Sequence, residues 1–274
     1  MSQSIANPMI QFMGVDKHFV RPDGQAQPVL RNLNFAIAAG EFCAIVGPTG
    51  CGKSTTLNLT AGLEPATAGE VRVMGQAVRG LHPNCGYMFQ TDASFPWKSV
   101  LDNVAAGLIF RGMDKPTARS RAQEWVRRVG LAGFEHHYPH QISGGMKKRV
   151  AMAQSLITEP KILLMDEPFA ALDVQTRALM ENELLSLWSE TGASVLFVTH
   201  DLEEAIAMAD KVIVLSAGPN STLKATYQID LPRPRNVTEI KFEPAFARTY
   251  QQIWEDLKSE VMISYERQQS RATA

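Results

Sequence analysis

The chain is poor in cysteine: Cys43, Cys51 and Cys85 are an odd number without framework spacing. A disulfide scaffold is therefore excluded, and a reducing compartment is indicated. It is equally poor in net charge, since 27 Lys and Arg stand against 28 Asp and Glu. That balance excludes a whole-molecule field drawing it to nucleic acid or to an acidic surface. No stretch reaches about 18 consecutive apolar residues, and the start, MSQSIANPMI, lacks a basic segment followed by an apolar core. Neither secretion nor a membrane span of its own is expected. Repeats and low-complexity tracts are also missing. What is present is 274 residues at 45% hydrophobic content, enough for one large domain or two modest ones.

Short β-rich segments come early, at 9–15, 29–37 and 41–46, with the turn-rich RPDGQAQP between the first two. They read as an antiparallel β layer. STTLNLTAGL then reads as a helix, and GEVRVMG and CGYMFQ as strands. From Ser99 to Gly130, Val100, Val104, Leu108, Trp125 and Val129 fall at helical spacing and predict a small helical subdomain. KILLMDEP, a helix over Thr176 to Glu190, SVLFVTH, a helix at LEEAIAMA, and KVIVL then alternate, as parallel strands covered on both faces do. LPRPR (231–235) breaks that pattern. Beyond it, Phe246, Tyr250, Ile253, Leu257 and Val261 predict an amphipathic terminal helix.

The chemistry concentrates in a few short runs. GPTGCGKST comprises Gly47, Pro48, Thr49, Gly50, Cys51, Gly52, Lys53, Ser54 and Thr55, and it matches the G-x-x-x-x-G-K-[ST] phosphate loop between a strand and a helix. Its glycines let the backbone curl so that N–H groups converge on phosphate oxygens, and the following helix adds its positive end. Lys53 supplies a mobile charge and Ser54 a hydroxyl for Mg²⁺. ILLMDEP ends an apolar strand in two acids. Alone such a pair is usually a solvated loop, but beside a phosphate loop Asp166 can hold Mg²⁺ and Glu167 can orient or deprotonate water. His200 closes SVLFVTH and Gln90 closes CGYMFQ, each at the end of a buried-looking strand.

A second helix start able to hold an anion lies at Ser143, Gly144, Gly145 and Met146. Lys147, Lys148 and Arg149 after it read as a solvated face. His136, His137 and His140 lack the cysteine or carboxylate partners of a metal site, and Pro139 interrupts any regular helix there. Cys51 has two readings: a thiol whose pKa falls at a helix N-terminus, or a buried inert cysteine.

Taken in order, GPTGCGKST, Gln90, ISGGM, ILLMDEP, ALD (Ala171 to Asp173) and THD with His200 resemble the ATP-binding subunit of an ABC transporter. The resemblance spans about residues 9–235. It implies an α/β P-loop NTPase core of ABC type, with an antiparallel β subdomain and a helical subdomain, about 92–160, that carries the signature. The ATP-binding domain would occupy 1–235, and 236–274 would be a C-terminal helical tail. It also implies an ATPase using ATP and Mg²⁺, in which Ser54, Gln90 and Asp166 hold the metal. Lys53, Glu167 and His200 would serve the γ-phosphate and the attacking water. Asp173 and the Ser143 to Met146 signature would contact the nucleotide held by a second ATP-binding subunit. Phe19 is the candidate for stacking on adenine.

Ile142 and Met146 depart from the usual LSGGQ, and Gln154 stands where an arginine is common. SGGM, FPWKSVLDNVAAGL and LPRPR resemble the nitrate, sulfonate and taurine branch of importers. The resemblance implies an importer of small anions such as nitrate, sulfonate, taurine or bicarbonate. The subunit would be peripheral on the cytoplasmic face of the bacterial inner membrane, working with permease subunits and indirectly with a periplasmic binding protein, and without nucleic acid. Phe95 and Trp97 would grip the permease, unless Trp97 is packed inside. The alternatives are another importer class or a soluble ABC ATPase outside transport.

Overall fold

The computed structural model describes residues 7–272. The first six residues of MSQSIANPMI and the last two of the expected tail lie outside them. The chain forms two compact bodies: one holds the described residues up to His82 and from Ala193 onward, the other Pro83–Gly192.

The first body opens with an antiparallel hairpin, β1 (Ile10–Val20) and β2 (Ala26–Ile37). β1 runs past the segment read as a strand to Val20, and β2 begins at Ala26, inside the stretch read as a turn. Only a few residues reverse the chain, with Arg21 N–H bonded to the Gln25 carbonyl at 2.9 Å. His18, Phe19 and Val20 are all exposed, so the alternation that signals a half-buried strand is lost there. β3 (Phe42–Val46) is buried throughout and leads into α1 (Lys53–Ala61). β4 (Ala68–Val73) and the short β5 (Gln76–Ala77) complete a sheet of order β2-β1-β4-β5.

The second body carries β6 (Cys85–Met88), α2 (Val100–Phe110), α3 (Lys115–Arg128), a 3-10 turn at Pro139–Gln141, α4 (Gly144–Leu156), β7 (Ile162–Asp166) and α5 (Val174–Thr191). Each long helix starts on an oxygen-bearing cap, Ser99, Asp114, Ser143 or Asp173, whose side chain accepts a backbone N–H of the first turn. Val100, Val104, Leu108 and Val129 are buried as their spacing predicts, and Arg128 lies over the Trp125 ring at 4.3 Å. β6 and β7 pair in parallel, with Tyr87 opposite Leu164.

The chain then returns to the first body with β8 (Ser194–Val198), α6 (Leu202–Met208), β9 (Lys211–Leu215), β10 (Leu223–Gln228), α7 (Val237–Ile240) and α8 (Pro244–Ala272). β3 lies between β8 and β9 and is parallel to both, and β10 pairs antiparallel with β9. LKATYQ is a strand that the sequence reading passed over, although Leu223, Ala225 and Tyr227 alternate with Lys224, Thr226 and Gln228 and burial follows that alternation. On α8, Phe246, Ile253 and Leu257 are buried as expected, but Val261 is 40% exposed and Glu260 takes the next buried place.

The LPRPR break has a structural cause. The buried Arg235 guanidinium donates to the carbonyls of Ala209 (2.6 Å) and Leu231 (2.9 Å), and at longer range to those of Ile206, Ala207 and Ile229. Arg233 adds bonds of 2.7 Å to Asp210 and to the Met208 carbonyl. The orphan carbonyls at the end of α6 thus find charged donors. Arg235→Met strands these acceptors and is expected to lower unfolding stability by about 3 kcal/mol. The check is the urea midpoint, and an unchanged midpoint would contradict the role given to Arg235.

Candidate functional site

In the first body, the phosphate loop leaves β3 directly, and it packs too tightly for a side chain at Gly47 and Gly52. A Cβ on Gly47 would lie 2.8 Å from the Cys51 sulfur and 3.1 Å from the Leu215 carbonyl oxygen, and one on Gly52 would lie 2.7 Å from the Leu30 side chain. Gly50 and Gly52 adopt φ of +78° and +94°, which glycine takes without steric cost. No side chain caps α1 at Gly52 and no acid stands in its first turn. Its N-terminal N–H groups and its dipole are therefore arranged for an anion. The buried Lys53 ammonium donates to the Gly47 and Pro48 carbonyls at 2.9 and 3.2 Å, contacts that a phosphate oxygen can replace.

His200 is exposed at the end of β8, which pairs with β3 beside the phosphate loop. Its neighbours fix its backbone. The buried Thr199 hydroxyl bonds the Glu204 carboxylate and accepts the Asp201 N–H at 3.0 Å, while Asp201 caps α6 through the N–H groups of Glu203 and Glu204. Thr199 and Glu204 were missed from the sequence. Phe19 is 37% exposed on β1, with the Lys17 ammonium 4.6 Å from its ring centre.

In the second body, Gln90, Asp166 and Glu167 stand at the ends of the paired strands β6 and β7. The Gln90 amide nitrogen donates to Glu167 at 3.1 Å. Glu167 holds a left-handed φ of +42°, a costly conformation for a residue with a side chain. Burial and the nearby Asp166 push the Tyr87 hydroxyl well above its usual pKa. Within this body Gln90 and Asp166 carry the side-chain oxygens that a hard divalent cation requires.

The signature helix is tied to this cluster. Lys148 is buried and donates to the Gln90 carbonyl at 2.7 Å, and burial lowers its pKa against the opposing pull of Asp92. Arg149 pairs with Glu183 at 2.7 Å and also donates to the Val129 carbonyl. The basic run is therefore not a solvated face: only Lys147 approaches that state, 3.8 Å from Asp92. Ser143 caps α4 through the Met146 N–H at 3.3 Å. Gln154 donates to the Asn103 carbonyl at 3.1 Å, tying α4 to α2. Asp173 caps α5, and bonds from Thr176 lower its carboxyl pKa. His137 and His140 rest against Phe134 and Tyr138.

Trp97 is 71% exposed, which decides against internal packing. It meets Phe95, which in turn meets Phe110, and the Lys98 ammonium lies over the Phe95 and Phe110 rings, beside a cavity of about 300 Å³ between β6, α2 and α4.

Residues 30–170 match the ABC transporter domain. The aliphatic sulfonates import ATP-binding protein SsuB of Bacillus thuringiensis subsp. konkukian is 40% identical over 87% of this chain and 93% of its own. The taurine import ATP-binding protein TauB of Yersinia pestis bv. Antiqua is 43% identical over 73% of this chain and 78% of its own. Among solved structures, the dimeric post-hydrolysis state of the ATP-binding cassette MJ0796 bound to ADP and Pi superposes with a TM-score of 0.72. It is 32% identical and covers 82% of this chain and all of its own.

The reactive reading of Cys51 does not survive. Its thiol is fully buried, and burial raises its pKa by more than Lys53 and the neighbouring N–H groups lower it. Burial likewise raises Cys43 and pushes Cys85 up to about 12. Native protein at pH 8 is expected to show no fast thiol toward a disulfide reagent, and denatured protein to show all three. A rapidly labelled Cys51 would contradict this. Because the folded thiols hold their protons, their contribution is complete below the unfolded pKa of about 8.5. Stability should fall as the pH rises beyond it.

Proposed function

The chain belongs to the ABC transporter family of ATP-binding subunits, and on that premise we propose that it energises the import of a small sulfonate-like anion across the bacterial inner membrane. It is an ATPase, and the observation that carries this reading is the side-chain-poor Gly47–Thr55 loop leading into an uncapped α1. The SsuB and TauB relatives and the SGGM signature support the anion class; nitrate, taurine and bicarbonate fall within the same chemistry.

In this mechanism Lys53 gives up the Gly47 and Pro48 carbonyls for phosphate oxygens, while the loop N–H groups hold the remaining charge. Ser54, Gln90 and Asp166 would hold Mg²⁺, which would supply charge neutralisation to the phosphates. Glu167 releases the Gln90 amide and takes the proton of the attacking water. His200 donates to the γ-phosphate, and Phe19 stacks on adenine. Asp173 and the signature Ser143, Gly144, Gly145 and Met146 meet the nucleotide of a second copy of the subunit.

The aromatic cluster of Phe95, Trp97 and Phe110 takes the membrane partner, an integral permease fed by a periplasmic binding protein. That places the chain on the cytoplasmic face of the membrane. Rim aromatics beside an open cavity suit a short amphipathic segment, with tryptophan as its anchor.

Two outcomes test these roles. In Glu167→Gln, ATP turnover should fall at least about a hundredfold, sulfonate uptake should stop, and ATP-dependent dimerisation should persist; substantial turnover would sink the base assignment. Trp97→Ala should leave ATPase activity of the isolated subunit unchanged while weakening its co-purification with the permease about tenfold or more. Undiminished co-purification would remove the rim from the interface.

A further inference from the structure

The segment that follows β9 runs against the phosphate loop. A Cβ on Gly218 would lie 2.9 Å from the Gly50 carbonyl oxygen and 3.6 Å from Cys51 Cα. Gly218 is not among the glycines with left-handed φ, so the close approach, not the backbone conformation, is what excludes a side chain there. The Leu215 carbonyl oxygen, just before this segment, would lie 3.1 Å from a Cβ on Gly47.

The same segment is gripped from its other side by α8. The Ala217 N–H donates to Glu260 Oε2 at 2.8 Å. One Arg267 nitrogen donates to the Gly218 carbonyl at 2.6 Å and to the Ala217 carbonyl at 3.3 Å. Glu260 is itself buried and paired with Lys224 at 3.0 Å, and a second tether joins Tyr227 to Asp256 at 2.5 Å. A carboxylate in the buried stripe of a helix costs free energy unless its partners use it, and here its acceptor is spent on the backbone beside the nucleotide cradle. Neither Glu260 nor Arg267 belongs to the cradle.

We propose that α8 is a brace that sets the ATP affinity of the phosphate loop, acting through Ala217 and Gly218, with Glu260 and Arg267 as its positioning residues. This rests on the reading of the loop as the ATP site. A loop held in its binding geometry before the nucleotide arrives need not lose that freedom on binding. Releasing the brace therefore weakens ATP binding and leaves the chemistry at saturating ATP alone.

The test uses the full-length chain and ATP, with Kd from titration calorimetry and KM and kcat from steady-state turnover. Arg267→Ala removes an exposed side chain and should raise Kd and KM about fivefold. kcat should stay within about twofold, and Arg267→Lys should restore affinity. Glu260→Leu should raise Kd in the same way; if it fails to fold, the Arg267 pair decides alone. Wild-type Kd and KM in Arg267→Ala would overturn the brace. If the unaltered chain binds no ATP, or binds it equally well with Lys53→Ala, the ATP-site reading fails and the brace falls with it.

Discussion

A backbone that must offer its N–H groups to an anion tolerates no side chain where its neighbours press on it, and the first body is arranged around that constraint. Gly47, Gly52 and Gly218 each stand where a single carbon would collide with β9, β2 or the loop itself. Close packing by neighbouring backbone replaces the side-chain packing that stabilises an ordinary turn. The buried β3 holds the loop's entry, β8 delivers His200 next to it, and the loop after β9 supports it from beneath. Lys53 completes the arrangement, since its ammonium holds two carbonyls that would otherwise face the charge the loop is built to bind.

The second body follows a different logic, in which polar groups are knotted together. Gln90 is held twice, through its carbonyl by Lys148 and through its amide by Glu167. Lys148 sits one turn into α4, so a displacement of Gln90 acts on the signature helix through a part-buried charged bond. Gln154 and Ser155 extend the tie, to Asn103 and to the Tyr87 carbonyl. The strained backbone at Glu167 belongs to the same knot: the left-handed turn lets the carboxylate meet Gln90 immediately after β7 ends.

What could be read from the sequence was what depends on backbone freedom or on periodicity. Glycines and a lysine at fixed offsets announce the phosphate loop, and buried strands such as FCAIV and SVLFV announce themselves by unbroken apolar runs. The helical spacing of Val100, Val104 and Leu108 was legible for the same reason. Residues whose partners lie far along the chain were not. Lys148 looks like any exposed lysine until Gln90 is found beside it, and Glu260 looks like the polar face of α8 until the Ala217 N–H appears. The outer half of the β1–β2 hairpin was hidden because His18, Phe19 and Val20 are all exposed and leave no alternation to read.

The two anion-facing helix starts differ in a way that separates their tasks. α1 begins on Gly52 with no side-chain oxygen to satisfy its first N–H groups, so the phosphate of its own site completes the helix. α4 begins on Ser143, whose hydroxyl already accepts the Met146 N–H. That helix is stable without a ligand, and a hydroxyl that accepts from its own backbone can still donate its proton outward to a phosphate oxygen. A capped α4 suits the contact proposed for it with a partner's nucleotide, and an α1 without a side-chain cap keeps its donors for the phosphate of its own site. Met146 contributes to the first state through its backbone N–H alone, so exchanging the glutamine of the usual signature for methionine leaves the cap intact.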